Sequence, residues 1–530
     1  MQRILIAVAI AFFAVTAWYG RPAGLWNSPD ETANSFWIER VANGESLVVR
    51  DVLVGLGAGA IHPRSMAVVG DALVPGSFTG MLLLYGALRL LCKIPLFLLT
   101  PIFTLVAGAL FGTLVGRLFD RRTGIIAAIL FFLHPAVLYY AARGLFHNVL
   151  FVDLLILSAA SFALRKDRLG DIFGGFAFGW AIATRTSEAL WAIPAFAVFL
   201  PFIGKERWRR LGWAFVGAAL PLFLLLQVNA SLYGSPFQTA YVTAPALPPV
   251  VDHAAPAGPV VDTSKPFVRL PFGFDAKRVA RNAWYYGISL FWWQSVLAVL
   301  GLCAWLLMFR KATSVQKTYA LATVAVATWL AVLYGSWAIR DRLDPSDVTI
   351  GTSYVRYFLP AYVAMLPFAA FGLSQLFEKT KRWKMIAATL VVIGTLTLHA
   401  TVFSGDESLR AVRATLAQNR VKSEALLADT FPDDVVVMTE RFDKLIVPQR
   451  LRIIPGTDDA SFAAAAVVSN YTPVYWYGLT PSVEERARLD ALAKAHGLVL
   501  NEVYSPIPGE IALRFDSPVF EEIGEEYDYE

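Results

Sequence analysis

A polytopic α-helical membrane protein with a C-terminal α/β domain outside the membrane is the fold class that this sequence predicts, on three observations. The 530 residues are 56% hydrophobic, 13% aromatic and only 16% charged, with mean hydropathy +0.53, too apolar for an ordinary soluble chain and too long for one domain. The apolar residues gather in runs close to the roughly 20 residues that crossing a bilayer demands. After Phe403 the composition turns charged and mixed. A net charge of +5 does not point to nucleic acid here, because Lys and Arg fall in short clusters between the apolar runs. Cys92 and Cys303 lie far apart in or against apolar segments, which fits packing and not a disulfide framework or zinc site.

The N-terminal run Met1 to Tyr19 has one Arg at position 3 and a passable cleavage context at Val15-Thr16-Ala17. Trp18 and Tyr19 follow at once and suit an interfacial aromatic belt, so the run reads as an anchor and not a cleaved signal. Spans are placed at about 3–19, 96–118, 124–141, 147–164, 170–185, 188–203, 210–229, 285–308, 316–336, 355–377 and 384–403, roughly eleven in all. The connections Asp120-Arg121-Arg122, Arg165 to Arg168, Lys205 to Arg210, Arg310 to Lys317 and Glu378 to Lys384 are basic and belong in the cytoplasm. The N-terminus is then inside, and the loops 20–95 and 230–284 and the C-terminal region are outside. Thr79 to Leu91 is apolar but short, and reads as an interfacial or re-entrant helix.

The chain divides at Phe403. Residues 1–403 form the membrane domain, with outer loop 20–95 carrying juxtamembrane helices and outer loop 230–284 rich in Pro and Ala, an extended candidate lid. Residues 404–530 alternate apolar strands (Val435–Met438, Val474–Tyr477, Val499–Tyr504, Ile511–Phe515) with helical patterns, one opened by the capping box Ser482-x-x-Glu485. That alternation predicts a partly parallel sheet, and no glycine-rich phosphate loop follows any strand. The last ten residues are acidic and predicted to be disordered.

Function is carried by polar residues at predicted helix ends. In WNSPDETANSFWIERVANGESL, Asp30 and Glu31 follow the first apolar helix, and two carboxylates beside a bilayer are costly unless paired, solvated or used. The plain alternative is a helix N-terminus, with Ser28 and Asp30 as caps and Glu31 on the dipole. On the same predicted side fall His62, Arg64, Asp71, Arg143, His147, Asn148, Arg185, Glu188, Arg340, Asp341, Arg342 and Arg356. Each has a modest explanation alone: Arg143 and Arg185 can snorkel, Arg185 can pair with Glu188, and Arg340 to Arg342 can be a solvated loop. Together they fit an outward site in which arginines hold an anionic phosphate and a carboxylate acts as base.

The Asp-Glu pair, HPRSMAVVGDALVPGSF, HPAVLYYAARGLFHNVLF, ATRTSEALW, LYGSPFQTAY and RYFLPAY, in that order over about residues 1–400, resemble the GT-C superfamily of membrane glycosyltransferases. Within it the branch of protein O-mannosyltransferases and lipid A aminoarabinose transferases is the most similar. The resemblance implies a GT-C-like enzyme that takes sugar from a polyprenyl-phosphate carrier, inverts the anomeric centre and hands the sugar to an acceptor lipid, glycan or protein. It implies that Asp30 is the acceptor's base with Glu31 beside it, and that Arg356 lies near the lipid phosphate; the charge pattern itself adds Arg185 and Arg143 as phosphate-binding candidates. His147-Asn148 stand where relatives often carry an acid, which weakens a metal-dependent scheme; His147, Asn148, His62 and Arg64 are left as substrate-orienting candidates. A sugar on polyprenyl phosphate already has its leaving group, so no nucleotide or dedicated cofactor is called for, and no metal is indicated. The expected location is the cytoplasmic membrane, with the site outside. The alternatives are a lipid-linked sugar flippase or transporter, and a non-catalytic envelope scaffold. Internal repeats and mid-membrane charges, the marks of a transporter, are not evident in the sequence.

Reporter fusions after residues 122, 166, 207, 312 and 381 are expected to read cytoplasm, and fusions near 60, 255 and 450 the outer side. A cytoplasmic signal at 450 would overturn this topology.

Overall fold

The computed structural model describes residues 1–22, 24–240, 272–339, 341, 347–378 and 381–516. Residues 241–271 of the candidate lid, Arg340, Arg342 and the acidic tail lie outside them. The chain forms two compact units, the first from Met1–Arg21, Ile94–Leu225 and Gly258–Val412, the second from Pro22–Lys93, Leu226–Ala257 and Arg413–Glu530.

The first unit is helical. Among the described residues seven helices are long and apolar enough to cross a membrane, and nine spans result if each of two bent pairs counts as one. This is fewer than the roughly eleven expected, and the reasons are local. The 170–185 run becomes the 17-residue helix Arg168–Thr184, about 26 Å long at 1.5 Å per residue and short of a roughly 30 Å hydrocarbon core. The 188–203 run holds only the nine-residue helix Ala189–Ala197 between 3₁₀ turns. The 124–141 run breaks by 51° where Pro135 lacks an N–H and His134 Nδ1 accepts instead from Ala136 N at 3.2 Å. Ala276–Ser289 and Trp292–Leu307 meet at 92° after a π-helical turn at Ala283–Ser289.

Small residues bring these helices together. A Cβ on Gly301 would stand 1.9 Å from the Phe368 carbonyl oxygen, so Trp292–Leu307 and Ser353–Glu378 touch backbone to backbone. Charges inside the bundle are matched: Arg210 donates to Asp171 at 2.8 Å and to the Phe162 carbonyl at 2.8 Å, with both ionic side chains buried. Not every charge sits at a helix end, however. Asp153 lies midway along His147–Leu164 with no exposed surface, and accepts from Thr104 Oγ1 at 2.6 Å. Both cysteines are exposed thiols, so the packing role read from sequence is not theirs.

The second unit holds two sheets. A three-stranded antiparallel sheet, order β1-β3-β2, is built from β1 (Val49–Arg50), β2 (Met66–Val69) and β3 (Ala72–Pro75), the last two joined through Gly70-Asp71 with Gly70 at φ +63°. The five-stranded sheet has order β5-β4-β6-β8-β7, from β4 (Val436–Met438), β5 (Ile453–Ile454), β6 (Val474–Leu479), β7 (Val499–Val503) and β8 (Glu510–Asp516). Its β5, β4 and β6 run parallel and the other pairings antiparallel. The first-loop residues are tied to this sheet region: Arg452 Nε donates to Asp51 at 2.6 Å, and Arg64 grips Asp443. Helix Pro29–Ala42 packs against helix Thr79–Cys92, where a Cβ on Gly86 would strike Val41. Trp37 and Ile38 of this helix are fully buried in protein.

Gly301→Ala is expected to destabilise by about 1–3 kcal/mol, since backbone must move to admit the methyl group. Gly212→Ala, whose Cβ meets nothing within 4 Å, should be neutral or slightly stabilising. Thermal unfolding of the two purified variants in detergent checks the contrast; equal melting points would refute the close helix approach.

Candidate active site

The second unit presents the acidic pair. Pro29 opens helix Pro29–Ala42, preset for the first turn, and Ser28 is its N-cap. Ser28 Oγ accepts from Asp30 N at 3.2 Å, and Glu31 Oε2 accepts from Ser28 N at 3.1 Å, completing a capping box. The capping explanation thus holds for Glu31, which is 2% exposed. Asp30 is engaged differently. Ser65 Oγ donates to its Oδ1 at 2.5 Å across the loop that carries His62 and Arg64.

That loop is held from the C-terminal residues. Arg64 donates from its main-chain N to Asp443 Oδ2 at 3.1 Å, from Nε to Oδ1 at 2.9 Å, and from Nη2 to Oδ1 and the Arg441 carbonyl. His62 Nδ1 donates to the Pro63 carbonyl at 3.0 Å, and burial lowers the His62 pKa, only partly offset by that bond and by Asp443. His62 is therefore neutral at pH 7, a hydrogen-bonding group and not a phosphate-binding cation. Asp71 pairs with Arg50 at the exposed end of the hairpin, away from this group.

The first unit gathers the arginines. Arg143 ends helix Pro135–Ala142, its Nη1 donating to Tyr139 OH at 3.0 Å, and Arg356 lies in the first turn of Ser353–Glu378, its Nη2 donating to Ser353 Oγ at 2.7 Å. The two guanidinium carbons stand 5.1 and 4.5 Å from the same Phe146 ring. Tyr357 serves likewise for Arg356 and Arg185, at 5.5 and 5.1 Å. Three arginines far apart in sequence are thus strung along two aromatic faces, the negative surface of each ring offsetting part of their repulsion. Asn148 Nδ2 donates to the Arg356 carbonyl at 3.0 Å, and Asp341 caps Ser353 N. His147 is the buried first residue of its helix.

Arg185 is committed within the protein. It donates to Glu188 Oε1 from Nε at 3.2 Å and Nη2 at 2.6 Å, and to Tyr334 OH at 3.1 Å; Glu188 also accepts from Tyr334 and from Trp191 Nε1. Phe146, Tyr357, Tyr334, Ser65 and Asp443 were not singled out from sequence. An aromatic beside each arginine, in AARGLF and VRYF, was the available signal for the first two. Among the described residues no three His, Cys, Asp or Glu side chains are grouped to hold a metal ion.

One unit is a bundle of apolar helices with buried arginines, and the other presents a first-loop carboxylate. Residues 86–229 match the family model described as Dolichyl-phosphate-mannose-protein mannosyltransferase, and the chain has the GT-C fold. The apo crystal structure of ArnT from Cupriavidus metallidurans is similar at 12% identity and TM-score 0.55, covering 97% of this chain and 97% of that one. Archaeoglobus fulgidus AglB, an oligosaccharyltransferase in complex with an inhibitory peptide and a dolichol-phosphate, aligns at 12% identity and TM-score 0.52 over 97% of this chain and 74% of that one. The mycobacterial arabinofuranosyltransferase AftD aligns at 12% and 0.51, over 97% and 41%. No curated protein matches the sequence.

Glu188→Gln should leave the buried Arg185 cation without its counter-charge and cost about 3–5 kcal/mol. Tyr334→Phe, which deletes one hydrogen bond, should cost about 1 kcal/mol. Folded yield and melting temperature in detergent check both, and a Glu188→Gln protein as stable as wild type would remove the pair from the framework.

Proposed function

We propose that the chain is an inverting glycosyltransferase that moves a sugar from a polyprenyl-phosphate donor to an acceptor hydroxyl at the outer face of the cytoplasmic membrane. The observation that carries this reading is the pairing of Arg143 and Arg356 on one Phe146 ring: two guanidinium groups held against one ring suit an anion with several oxygens. The lipid phosphate in the AglB complex supports the carrier class. Arg185, tied to Glu188, holds the shared Tyr357 side of the cluster. Asn148 and His147 border it and orient the donor.

In the proposed step the acceptor oxygen attacks the anomeric carbon while its proton passes to Asp30. The bond from that carbon to the phosphate oxygen breaks, and its electron pair leaves with the phosphate, whose growing charge Arg356 and Arg143 stabilise. Glu31 keeps the helix start rigid beneath Asp30, and His62 and Arg64 shape the loop above it. No cofactor takes part in this scheme. The C-terminal α/β residues are placed outside the membrane by the same topology. A flippase is the second reading, favoured by one observation, the mid-helix Asp153; its side chain is packed and bonded to Thr104, as a structural carboxyl would be.

The test is label transfer in membranes, with donors on dolichyl and undecaprenyl phosphate, beginning with mannose because of the family match. Asp30→Asn should lower turnover about 10² to 10⁴-fold with the protein still inserted. Arg356→Ala should weaken donor binding at least about tenfold, and Arg356→Lys should restore only part, because an ammonium cannot fork onto two phosphate oxygens. Wild-type turnover in both Asp30→Asn and Glu31→Gln would make this loop a helix cap and sink the catalytic claim.

A further inference from the structure

Ser65 is an unusual place for a serine. Its backbone has φ +62°, the left-handed region that costs a side-chain-bearing residue free energy and favours glycine. Two features hold it there. On one side Arg64, its neighbour in the chain, is fixed by the fork onto Asp443, whose carboxylate is 3% exposed. On the other, Gly76 N donates to the Ser65 carbonyl at 3.2 Å, and a Cβ on Gly76 would come within 2.6 Å of that carbonyl. The outcome of this construction is one contact, the Ser65 hydroxyl on Asp30 Oδ1 at 2.5 Å.

We infer that Ser65 is a positioning residue for Asp30, aimed by a clamp in which Asp443, from the C-terminal residues, grips Arg64. The inference rests on the reading of Asp30 as base. It assigns the C-terminal residues a task in the reaction: they hold a first-loop hydroxyl against the base, so that the carboxylate keeps one rotamer. A serine standing where glycine would fit without strain is explained by its hydroxyl, which reaches Asp30.

Among the described residues, charged and titratable groups near Asp30 include Glu31 on its own helix, His62 and Arg64 on the loop, and Asp443 and Lys444 on the turn packed against Pro29, Thr32 and Ala33. Two substitutions leave all these charges unchanged. Ser65→Gly removes the hydroxyl and relieves the backbone; Arg64→Lys keeps the cation and loses the fork.

The experiment labels the full-length protein in detergent with a water-soluble carbodiimide and glycine ethyl ester across a pH series, reading the extent at Asp30, resolved from Glu31, by peptide mass spectrometry. A donor bond to a carboxylate favours its ionised form, so Ser65→Gly should move the Asp30 labelling midpoint upward by about one pH unit, tenfold in the protonation equilibrium. Its melting temperature should be unchanged or higher. Arg64→Lys should shift the midpoint the same way by a smaller amount. In the transfer assay Ser65→Gly should lower kcat with donor KM unchanged, and should add nothing in an Asp30→Asn background. An unmoved midpoint in Ser65→Gly overturns the inference and leaves the base reading intact. A moved midpoint with full transfer in Asp30→Asn leaves the contact real but refutes the base, and with it any role for Ser65 in the reaction.

Discussion

A guanidinium set among apolar helices is unfavourable by several kcal/mol unless its charge is shared, and the first unit is organised around that constraint. Arg210 solves it with Asp171 and two backbone carbonyls, Arg185 with Glu188 and Tyr334. Arg143 and Arg356 are handled by aromatic faces, with Phe146 common to both. A carboxylate neutralises a cation and cements helices, and a ring lowers the cost of a cation without forming an ion pair. The proposed phosphate site includes contacts of the second kind.

The second unit obeys a different logic. Its first-loop helices and hairpin are too short to bury a core alone, and they gain one by packing with the C-terminal residues through Arg64–Asp443 and Arg452–Asp51 and by enclosing Trp37 and Ile38. The same ion pairs that stabilise the loop fix its chemistry. A capping box that consumes Glu31 and a left-handed serine that engages Asp30 separate two adjacent carboxylates into a structural one and a candidate base.

Much of this was legible in the sequence, where a feature depends on local pattern. The long apolar helices, the arginines at helix ends and the distinction of the Asp30-Glu31 pair all follow from hydropathy and charge. Among the described residues nine spans remain with the Pro135 bend counted inside one of them, and the difference from eleven falls at Arg168–Thr184 and Ala189–Ala197. The β2–β3 hairpin, four residues a side, was too short to stand out, and the Arg64–Asp443 clamp joins residues 379 apart, a distance no local pattern spans. Asp153 was overlooked because one acid in an apolar run barely changes its mean hydropathy.

The measurement that tests the central claim most directly is mass spectrometry of envelope lipids, glycans and proteins from cells lacking this chain, complemented with wild type or with Asp30→Asn. The account predicts that one acceptor class loses the mass of a single sugar while the polyprenyl-phosphate sugar accumulates, and that wild type, but not Asp30→Asn, reverses both. Full reversal by Asp30→Asn, or an envelope of unchanged composition, would contradict it.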